Sequence, residues 1–266
     1  MNKKIITAIM AAAMCCGILT SCGDKTEKGS SASGTSSEAS SDAEKTSDSD
    51  TEEFDKDAYI EKIKTDIDKA EPSDEPLEYG SIGKEEKPDE DADDADLGDY
   101  STGDSGVKFY YDKSAFPDEL MLTLEQYFHS FENADYTTYT RCSYPDYLEK
   151  MEEYLQKEYG YAMKDSFTTQ CANLAGIANG EFKVTRIKVD VPQQYDPDKE
   201  NLEAYFENFV DIFGEDYYEK LSKEADKVYD GEFYVMAENS TGAEQILVSA
   251  YEIVFVEKDG RFYVFG

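Results

Sequence analysis

The sequence predicts an α+β fold in which helices pack on one face of a curved, mainly antiparallel, cone-like sheet, preceded by a signal peptide and a disordered tether. Three observations predict it. The chain opens with a basic start and an apolar run, acidic and small residues then dominate up to residue 106, and large apolar side chains return over 107–266. Their spacing is first helical and later alternating. We therefore expect a signal peptide over 1–21, a tether over 22–106 and a domain over 107–266.

The first region has the parts of an export signal. Lys3 and Lys4 precede an apolar run that extends from Ile5 to Leu19, which is shorter than the ~20 residues needed to span a bilayer. The residues Leu-Thr-Ser-Cys that end at Cys22 resemble the lipobox of bacterial lipoproteins. This resemblance implies cleavage before Cys22, a diacylglycerol on its sulfur (with acyl chains such as palmitate) and anchoring at the outer face of the cell membrane. The alternative is an ordinary secretory signal cleaved nearby.

Charge restricts the classes of partner. The chain has 60 Asp and Glu residues against 26 Lys and Arg residues, and its formal net charge is −34. Nucleic-acid binding needs clustered basic residues, so we exclude it. The range 22–106 combines low hydrophobicity with high negative charge, which predicts disorder.

Two features inside the expected tether need separate interpretation. Ile60, Ile63 and Ile67 recur at helical spacing after Asp50, which indicates either a transient turn or a helix that docks on the domain or on a partner. The acidic run over 89–99 lacks the Gly and Glu that a helix-loop-helix calcium site requires.

Helical spacing predicts most of the domain's first half. We expect a helix after Pro117 that ends near Asn133, a short one over 136–139, one that begins at Pro145 and ends before Gly160, and one that begins near Met163. Further helices are expected in two more ranges: 202–213 and 217–225.

Alternating spacing predicts four strands. The first covers 182–191, with Thr185, Ile187, Val189 and Val191 on one face and Phe182 with Val184 on the other. The remaining three strands are expected over 233–237, 246–256 and 262–265. The two turns between them are expected over 239–242 and 258–261.

Two segments of the domain resemble a known family. The helix end at 133–136 (Asn-Ala-Asp-Tyr) and the strand turn at 257–264 (Glu-Lys-Asp-Gly-Arg-Phe-Tyr-Val) are similar to those of Gram-positive lipoproteins that carry a nuclear transport factor 2-like domain. The resemblance implies a cone of helices and curved sheet with a pocket. Members of that superfamily include isomerases, dehydratases and modules without activity, so function has to be argued from a site.

The sequence singles out no catalytic, cofactor-binding or metal-binding residues. His129 falls beside the apolar stripe of a helix, where we expect a structural role or, alternatively, a group that lines a pocket. Cys142 and Cys171 are the thiols of the domain, and both a disulfide between them and two buried apolar cysteines stay open. Tyrosines crowd the range 136–161, where we expect core and rim positions or, alternatively, an aromatic surface for a glycan or a protein.

Three hypotheses for function follow. The first is a membrane-anchored surface lipoprotein whose domain binds a small molecule or protein without catalysis or a cofactor. The second is a small isomerase-like or hydrolase-like enzyme with a buried Asp beside Tyr hydroxyls. The third is a structural or immunity-type surface protein with a filled interior and an exposed apolar patch.

Overall fold

A computed structural model of the chain describes residues 54–89, 94–194 and 197–266. The expected signal peptide over 1–21, the lipidation site Cys22 and the tether up to residue 53 lie outside the described residues. These expectations therefore stay predictions.

The described residues form eight α-helices and a short 3-10 helix. The α-helices are α1 (Lys56–Lys69), α2 (Asp118–Glu132), α3 (Tyr136–Cys142), α4 (Pro145–Tyr159), α5 (Met163–Ala178), α6 (Asn201–Glu207), α7 (Val210–Phe213) and α8 (Tyr217–Glu224). The 3-10 helix covers Ala95–Leu97.

Seven strands form one sheet in the described residues. They are β1 (Ile82–Glu86), β2 (Tyr100–Gly103), β3 (Lys108–Tyr111), β4 (Phe182–Asp190), β5 (Lys227–Asn239), β6 (Glu244–Lys258) and β7 (Arg261–Phe265). The spatial order follows the chain order from β1 to β7. Only the pairing of β3 with β4 is parallel, and a crossover that contains α2 to α5 connects these two strands. The other pairs are antiparallel.

The predicted fold class is confirmed, with two differences in detail. The sheet is open and uncurled, with β1 and β7 at its edges, instead of forming a cone. Helices also cover both faces around β6, whereas one covered face was expected. Residues 253–256 of β6 are consecutive and each is 1% exposed or less. Because successive side chains of a strand point to opposite faces, both faces must be covered at this position.

The predicted helices begin and end at the expected signals. Pro145 is the first residue of α4, and Gly160 ends that helix in the left-handed conformation with φ 74°. Asn179 ends α5 in the same way, with φ 58°. The single helix expected over 202–213 is instead two short helices, since Asn208 and Phe209 separate α6 from α7.

The predicted faces of β4 were wrong because the strand contains a bulge. The pairing register with β5 shifts between Val184 and Arg186. A bulge adds one residue and reverses the alternation. It therefore puts Phe182 and Val184 on the same buried face as 187 and 189, while Val191 lies beyond the strand and is 58% exposed.

The ordered elements begin before the expected domain boundary at residue 106. In the range 54–106, α1 packs on α5, and β1 and β2 extend the sheet beyond β3. Ile67 of α1 is fully buried and Ile63 is 8% exposed. Low average hydrophobicity concealed these elements, because α1 is anchored by these few apolar side chains and β1 is a charged edge strand. The docking interpretation of the isoleucine spacing is confirmed.

Ion pairs and backbone contacts add to the apolar contact of α1. Lys64 lies 2.9 Å from Asp165 of α5, and Lys164 of α5 donates hydrogen bonds to the backbone oxygens of Asp68 and Ala70. The segment that follows α1 crosses the domain surface, where Arg261 donates to the Asp74 carbonyl oxygen. The N-terminal segment is thus held along its length.

Candidate functional site

The space between the sheet and helices α2, α3 and α5 is filled by aromatic side chains. Phe131 stacks on Phe167 with ring centroids 5.2 Å apart, and Tyr139 lies 4.8 Å from Phe167. Tyr127 and Phe128 extend the cluster, and all five rings are 1% exposed or less. This core occupies the space in which the family resemblance implied a pocket, and the candidate site lies at the surface.

A second aromatic cluster surrounds Phe265 in the last strand. The ring of Phe265 lies between 5.0 and 6.3 Å from rings of α4, α6, α7, α8 and the residue that precedes α4. The partners are Tyr144, Tyr147, Phe206, Phe213 and Tyr217. This cluster fixes the short helices of the C-terminal half against α4.

A cleft of about 510 Å³ opens above this second cluster, between the start of α4, helix α8 and the turn from β6 to β7. We call it the α4–α8 cleft. Its floor is made of buried side chains that include Tyr144, Phe213, Tyr217 and Leu221. Charged side chains surround the floor. A volume in the range of about 300–1,000 Å³ is typical of ligand pockets.

Local structure positions the walls of the cleft. Tyr144 precedes α4 and its backbone N–H donates to the Val264 carbonyl oxygen at 2.8 Å, which ties the helix start to β7. On the opposite side, Asp259 and Gly260 have φ values of 53° and 71°. Positive φ at both central residues is the requirement of a type I′ hairpin turn, for which Asp-Gly is a favoured sequence. The turn predicted over 258–261 is confirmed, and it places Lys258 at the cleft.

A hydrogen bond connects two walls of the cleft. The Tyr217 hydroxyl of α8 donates to Asp146 Oδ2 of α4 at 2.6 Å. Burial, together with the charge and hydrogen bond of Asp146, raises the pKa of Tyr217 well above its ordinary value. Tyr217 is therefore a neutral donor at physiological pH. Lys150 lies one helical turn after Asp146, with its Nζ 3.9 Å from Asp146 Oδ1 and 5.9 Å from the Tyr217 ring centroid.

A second charged pair lies at the turn side of the cleft. Lys258 Nζ is 3.8 Å from Glu224 Oε2 and 5.9 Å from the centroid of the Tyr144 ring. Burial lowers the pKa of Lys258, but the Tyr144 hydroxyl, Glu224 and Asp259 outweigh it and raise the pKa overall. Lys258 therefore carries its charge in the cleft, where it can donate hydrogen bonds.

The residues singled out from sequence do not meet in this cleft. Cys142 is in α3 and Cys171 is in α5; both are buried thiols, and no disulfide joins them in this structure. Burial raises the pKa of Cys142 far above the usual value for a thiol. His129 lies with its Nε2 3.8 Å from Glu132 in the same helix, and its side chain is 19% exposed. Its position agrees with a structural role.

The tyrosines of 136–161 divide between core and rim. Those at 136, 139, 144 and 147 are buried, whereas Tyr159 is 39% exposed. Tyr159 lies 6.0 Å from Tyr154 and 5.8 Å from Tyr161, measured between ring centroids. Tyr144 is the member of this group that lines the α4–α8 cleft.

One residue of the acidic run over 89–99 has a structural function that the sequence did not suggest. Asp94 is 4% exposed and accepts hydrogen bonds from Lys108 Nζ at 2.7 Å, Tyr110 Oη at 2.7 Å and Arg186 Nε at 3.2 Å. The Lys108 hydrogen bond is the main cause that lowers the pKa of Asp94 to about 2. This cluster holds the connection before β2 against β3 and β4.

A buried glutamate lies in α2, away from the cleft. Glu125 is 3% exposed and accepts a hydrogen bond from the Ser105 hydroxyl in the turn between β2 and β3. Burial raises its pKa, while the Ser105 hydrogen bond and His129 act in the opposite direction. Seven residues later in α2, Glu132 accepts a hydrogen bond from the backbone N–H of Val184 at 3.0 Å. Both acids satisfy polar groups of the sheet and its turn.

No protein-family model, curated protein or solved structure matches this chain. In the ranges 54–89, 94–194 and 197–266, no group of three His, Cys, Asp or Glu side chains is arranged to hold a metal ion. Within the same described ranges, no helix has the length and apolar character needed to cross a membrane.

Proposed function

We propose that this protein is a lipoprotein anchored at the outer face of the cell membrane, whose extracytoplasmic domain binds a small molecule or protein without catalysis. The anchor part of the proposal depends on Cys22 and the apolar run that precedes it. A diacyl group at Cys22 would hold the protein stably, because each buried methylene contributes about 0.8 kcal/mol.

The observation that carries the binding part is the α4–α8 cleft. It combines a buried aromatic floor with polar atoms that converge from two helices and a hairpin turn. Such a combination is typical of sites that bind a ligand in a defined orientation. We also keep the relationship to nuclear transport factor 2-like lipoproteins as a proposal. It is supported by the segment that connects α2 to α3 and by the β6–β7 hairpin, where the two resembling motifs lie.

The enzyme hypothesis is the second candidate because the cleft contains an Asp and Tyr pair. Its mechanism requires an aspartate that burial makes a stronger base. The Asp146 side chain is 40% exposed and accepts the Tyr217 hydrogen bond. Asp146 therefore lacks the apolar surroundings that this mechanism requires, and the pair is better suited to ligand binding than to proton abstraction.

Metabolic labelling tests the anchor. The full chain is expressed in a bacterial host with radiolabelled palmitate, beside Cys22→Ser and the control variant Cys16→Ser in the apolar run. We expect label and membrane association in the wild type and in Cys16→Ser, and loss of both in Cys22→Ser. Equal labelling of the Cys22→Ser variant would refute lipidation at this residue.

Ligand-observed NMR tests the binding part on a chain that begins at residue 23 and so omits Cys22. A library that contains sugars, peptides, nucleotides and amino-acid derivatives is screened against the wild type and against Lys258→Met, which removes a charged donor from the cleft. We expect hits that weaken in Lys258→Met and persist in Lys223→Met, a control at an exposed lysine outside the cleft. Hits with equal affinity for all three proteins would reject the cleft as the binding site.

A further inference from the structure

The α4–α8 cleft is close to electrically neutral in a strongly acidic protein. Three lysines and four carboxylates line it, whereas the whole chain carries a formal charge of −34. A ligand that enters the cleft therefore meets both signs of charge at short range. The summed negative charge of the chain acts against an anionic ligand. Within the cleft, the three ammonium groups largely offset the four carboxylates, so the lining itself offers a cationic ligand little net attraction.

The charges in the cleft form loose pairs that retain hydrogen-bonding capacity. Lys150 lies 3.9 Å from Asp146, and Lys258 lies 3.8 Å from Glu224. Both distances exceed the usual length of a hydrogen bond. Tyr217 donates to one oxygen of Asp146, and Lys258 is hydrogen-bonded to Tyr144. An ammonium has three donors and a carboxylate has two acceptor oxygens, so each pair still has unused donors beside unused acceptors. A hydroxyl group, which donates one hydrogen bond and accepts others, is satisfied by this arrangement.

An aromatic surface lies beside these pairs. Tyr263 of β7 is a partly exposed ring that lines the cleft. It meets Tyr144 edge to face, with ring centroids 5.8 Å apart and an interplanar angle of 69°. Tyr144 thus fixes the orientation of the Tyr263 ring. A fixed ring with an accessible edge or face offers apolar contact next to polar groups.

We propose that the α4–α8 cleft binds a neutral saccharide. Sugar rings combine hydroxyl groups with apolar C–H faces, so they match paired donors and acceptors beside a tyrosine ring. Lys150 with Asp146 and Lys258 with Glu224 would bind the hydroxyls, and Tyr263 would contact a ring face. This inference depends on the proposed binding function, because it names the ligand class of the same site.

Isothermal titration of the chain that begins at residue 23 tests the ligand class. Three neutral tetrasaccharides that differ in linkage and N-acetylation are compared: maltotetraose, cellotetraose and tetra-N-acetylchitotetraose. The charged counterparts are the fully deacetylated chitosan tetramer, which is cationic, and tetragalacturonate, which is anionic. We expect at least one neutral tetramer to bind with a Kd of about 1 mM or tighter, and both charged tetramers to bind at least about tenfold more weakly.

Variants assign the binding to the cleft. Tyr263→Ala and Lys258→Met are each expected to weaken the neutral tetramer at least about fivefold, whereas Tyr263→Phe retains the ring and the affinity. Tyr159→Ala, at an exposed tyrosine outside the cleft, is the matched control and is expected to bind like the wild type. Thermal unfolding of each variant establishes that it is folded, and Tyr263→Phe keeps the test valid if Tyr263→Ala does not fold.

Two results overturn the saccharide assignment. One is the absence of binding by every neutral tetramer up to about 10 mM, well above the expected Kd. The other is equal or tighter binding of a charged tetramer that is lost in Lys258→Met, which would leave the proposed binding function intact with a different ligand class. The library screen on the wild type and Lys258→Met tests the proposed binding function separately from the ligand class.

Discussion

The Tyr217 hydroxyl donates a 2.6 Å hydrogen bond to Asp146 Oδ2, joining helices whose residues are 71 positions apart in the sequence. The bond fixes α8 against the start of α4 and so sets the width of the α4–α8 cleft. It also places a hydroxyl and a carboxylate side by side in the cleft. Stability and ligand binding are therefore expected to depend on the same pair.

Removal of this hydrogen bond gives the first prediction. Tyr217→Phe retains the ring within the aromatic cluster and is expected to lower the free energy of unfolding by about 1 kcal/mol. Urea unfolding measures the change. Tyr218→Phe is the control, since its hydroxyl makes a longer 3.3 Å bond to Glu200 at an exposed position; a loss below about 0.5 kcal/mol is expected. Equal losses in both variants would contradict a special contribution of Tyr217.

The Asp94 cluster predicts a dependence on acid pH. The pKa of Asp94 is lowered to about 2, so its contribution to stability is complete above about pH 4, the ordinary value for Asp, and is lost as the pH falls towards 2. Asp94→Asn is expected to lower the free energy of unfolding by about 2–3 kcal/mol at neutral pH, because it leaves the partly buried donors Lys108 and Arg186 with a weaker acceptor.

Urea unfolding at several pH values measures this effect. The variant should have a flatter profile than the wild type in the window from about pH 4 to 2. Asp96→Asn, at an exposed position in the same acidic run, should follow the wild-type profile. A wild-type slope that persists in Asp94→Asn would assign the acid sensitivity to other groups.

Removal of the Glu125 charge is expected to increase stability, whereas removal of the Asp94 charge is expected to decrease it. Because burial raises its pKa, the folded state binds a proton more readily than the unfolded state, and the cost of the buried charge is complete above the raised pKa. Glu125→Gln keeps an acceptor for Ser105 without the charge and is expected to raise the unfolding temperature at about pH 7, with a smaller gain or none at about pH 4. Thermal scans at both pH values test this, with exposed Glu119→Gln as control. A lower unfolding temperature for Glu125→Gln at neutral pH would contradict the account.

Because α1 packs on α5, the smallest stable form of the domain is expected to include α1. A chain that begins at residue 107 lacks α1, β1 and β2, leaves β3 as an edge strand and uncovers the surface of α5 beneath Ile67. It is expected to be less stable than a chain that begins at residue 54, or to aggregate. Ile67→Ala in the longer chain should cost about 2–4 kcal/mol. Chemical denaturation compares the three proteins, and equal stability of both truncations would reject an integral role for 54–106.

The two buried cysteines predict slow thiol chemistry. Cys142 and Cys171 are fully buried thiols, so neither should react with a thiol reagent such as Ellman's reagent until the chain unfolds. Quantification in buffer and in about 6 M guanidinium chloride, which unfolds most domains, should give no reactive domain thiol in the first case and two per chain in the second. Two fewer thiols than expected after unfolding would indicate a disulfide.

The sequence predicts the helices of this domain well because their signals are local. Pro145 and Gly160 mark both ends of α4, and apolar side chains recur with helical period between them. The β6–β7 hairpin is equally local, since Asp-Gly supplies the two positive φ values that its turn requires. In each case a few residues that are neighbours in the sequence are sufficient to determine the local structure.

Strands β1 to β3 were not predicted, for physical reasons that differ from strand to strand. β1 is a short edge strand whose exposed charges give no alternation. β2 and β3 have four residues each and lie on either side of a turn with Gly106 at φ 92°. The run Val-Lys-Phe-Tyr-Tyr over 107–111 is rich in strand-forming residues and was an available signal for β3.

The sequence also contains a signal for the burial of both faces of the sheet. Four consecutive apolar residues at 253–256 indicate a strand buried on both sides. The α4–α8 cleft had no comparable signal, because its main residues come from positions near 146, 217 and 258 and meet only in the folded chain. The same holds for Asp94, whose partners Lys108 and Arg186 belong to two different strands.

A crystallographic fragment screen on the chain that begins at residue 23 tests whether the α4–α8 cleft is the binding site. We expect bound fragments to concentrate in the α4–α8 cleft, in contact with Tyr263 and with the Tyr217 and Asp146 pair. We also expect this occupancy to fall in crystals of Lys258→Met. Fragments that bind reproducibly elsewhere on the domain while this cleft stays empty would contradict the account.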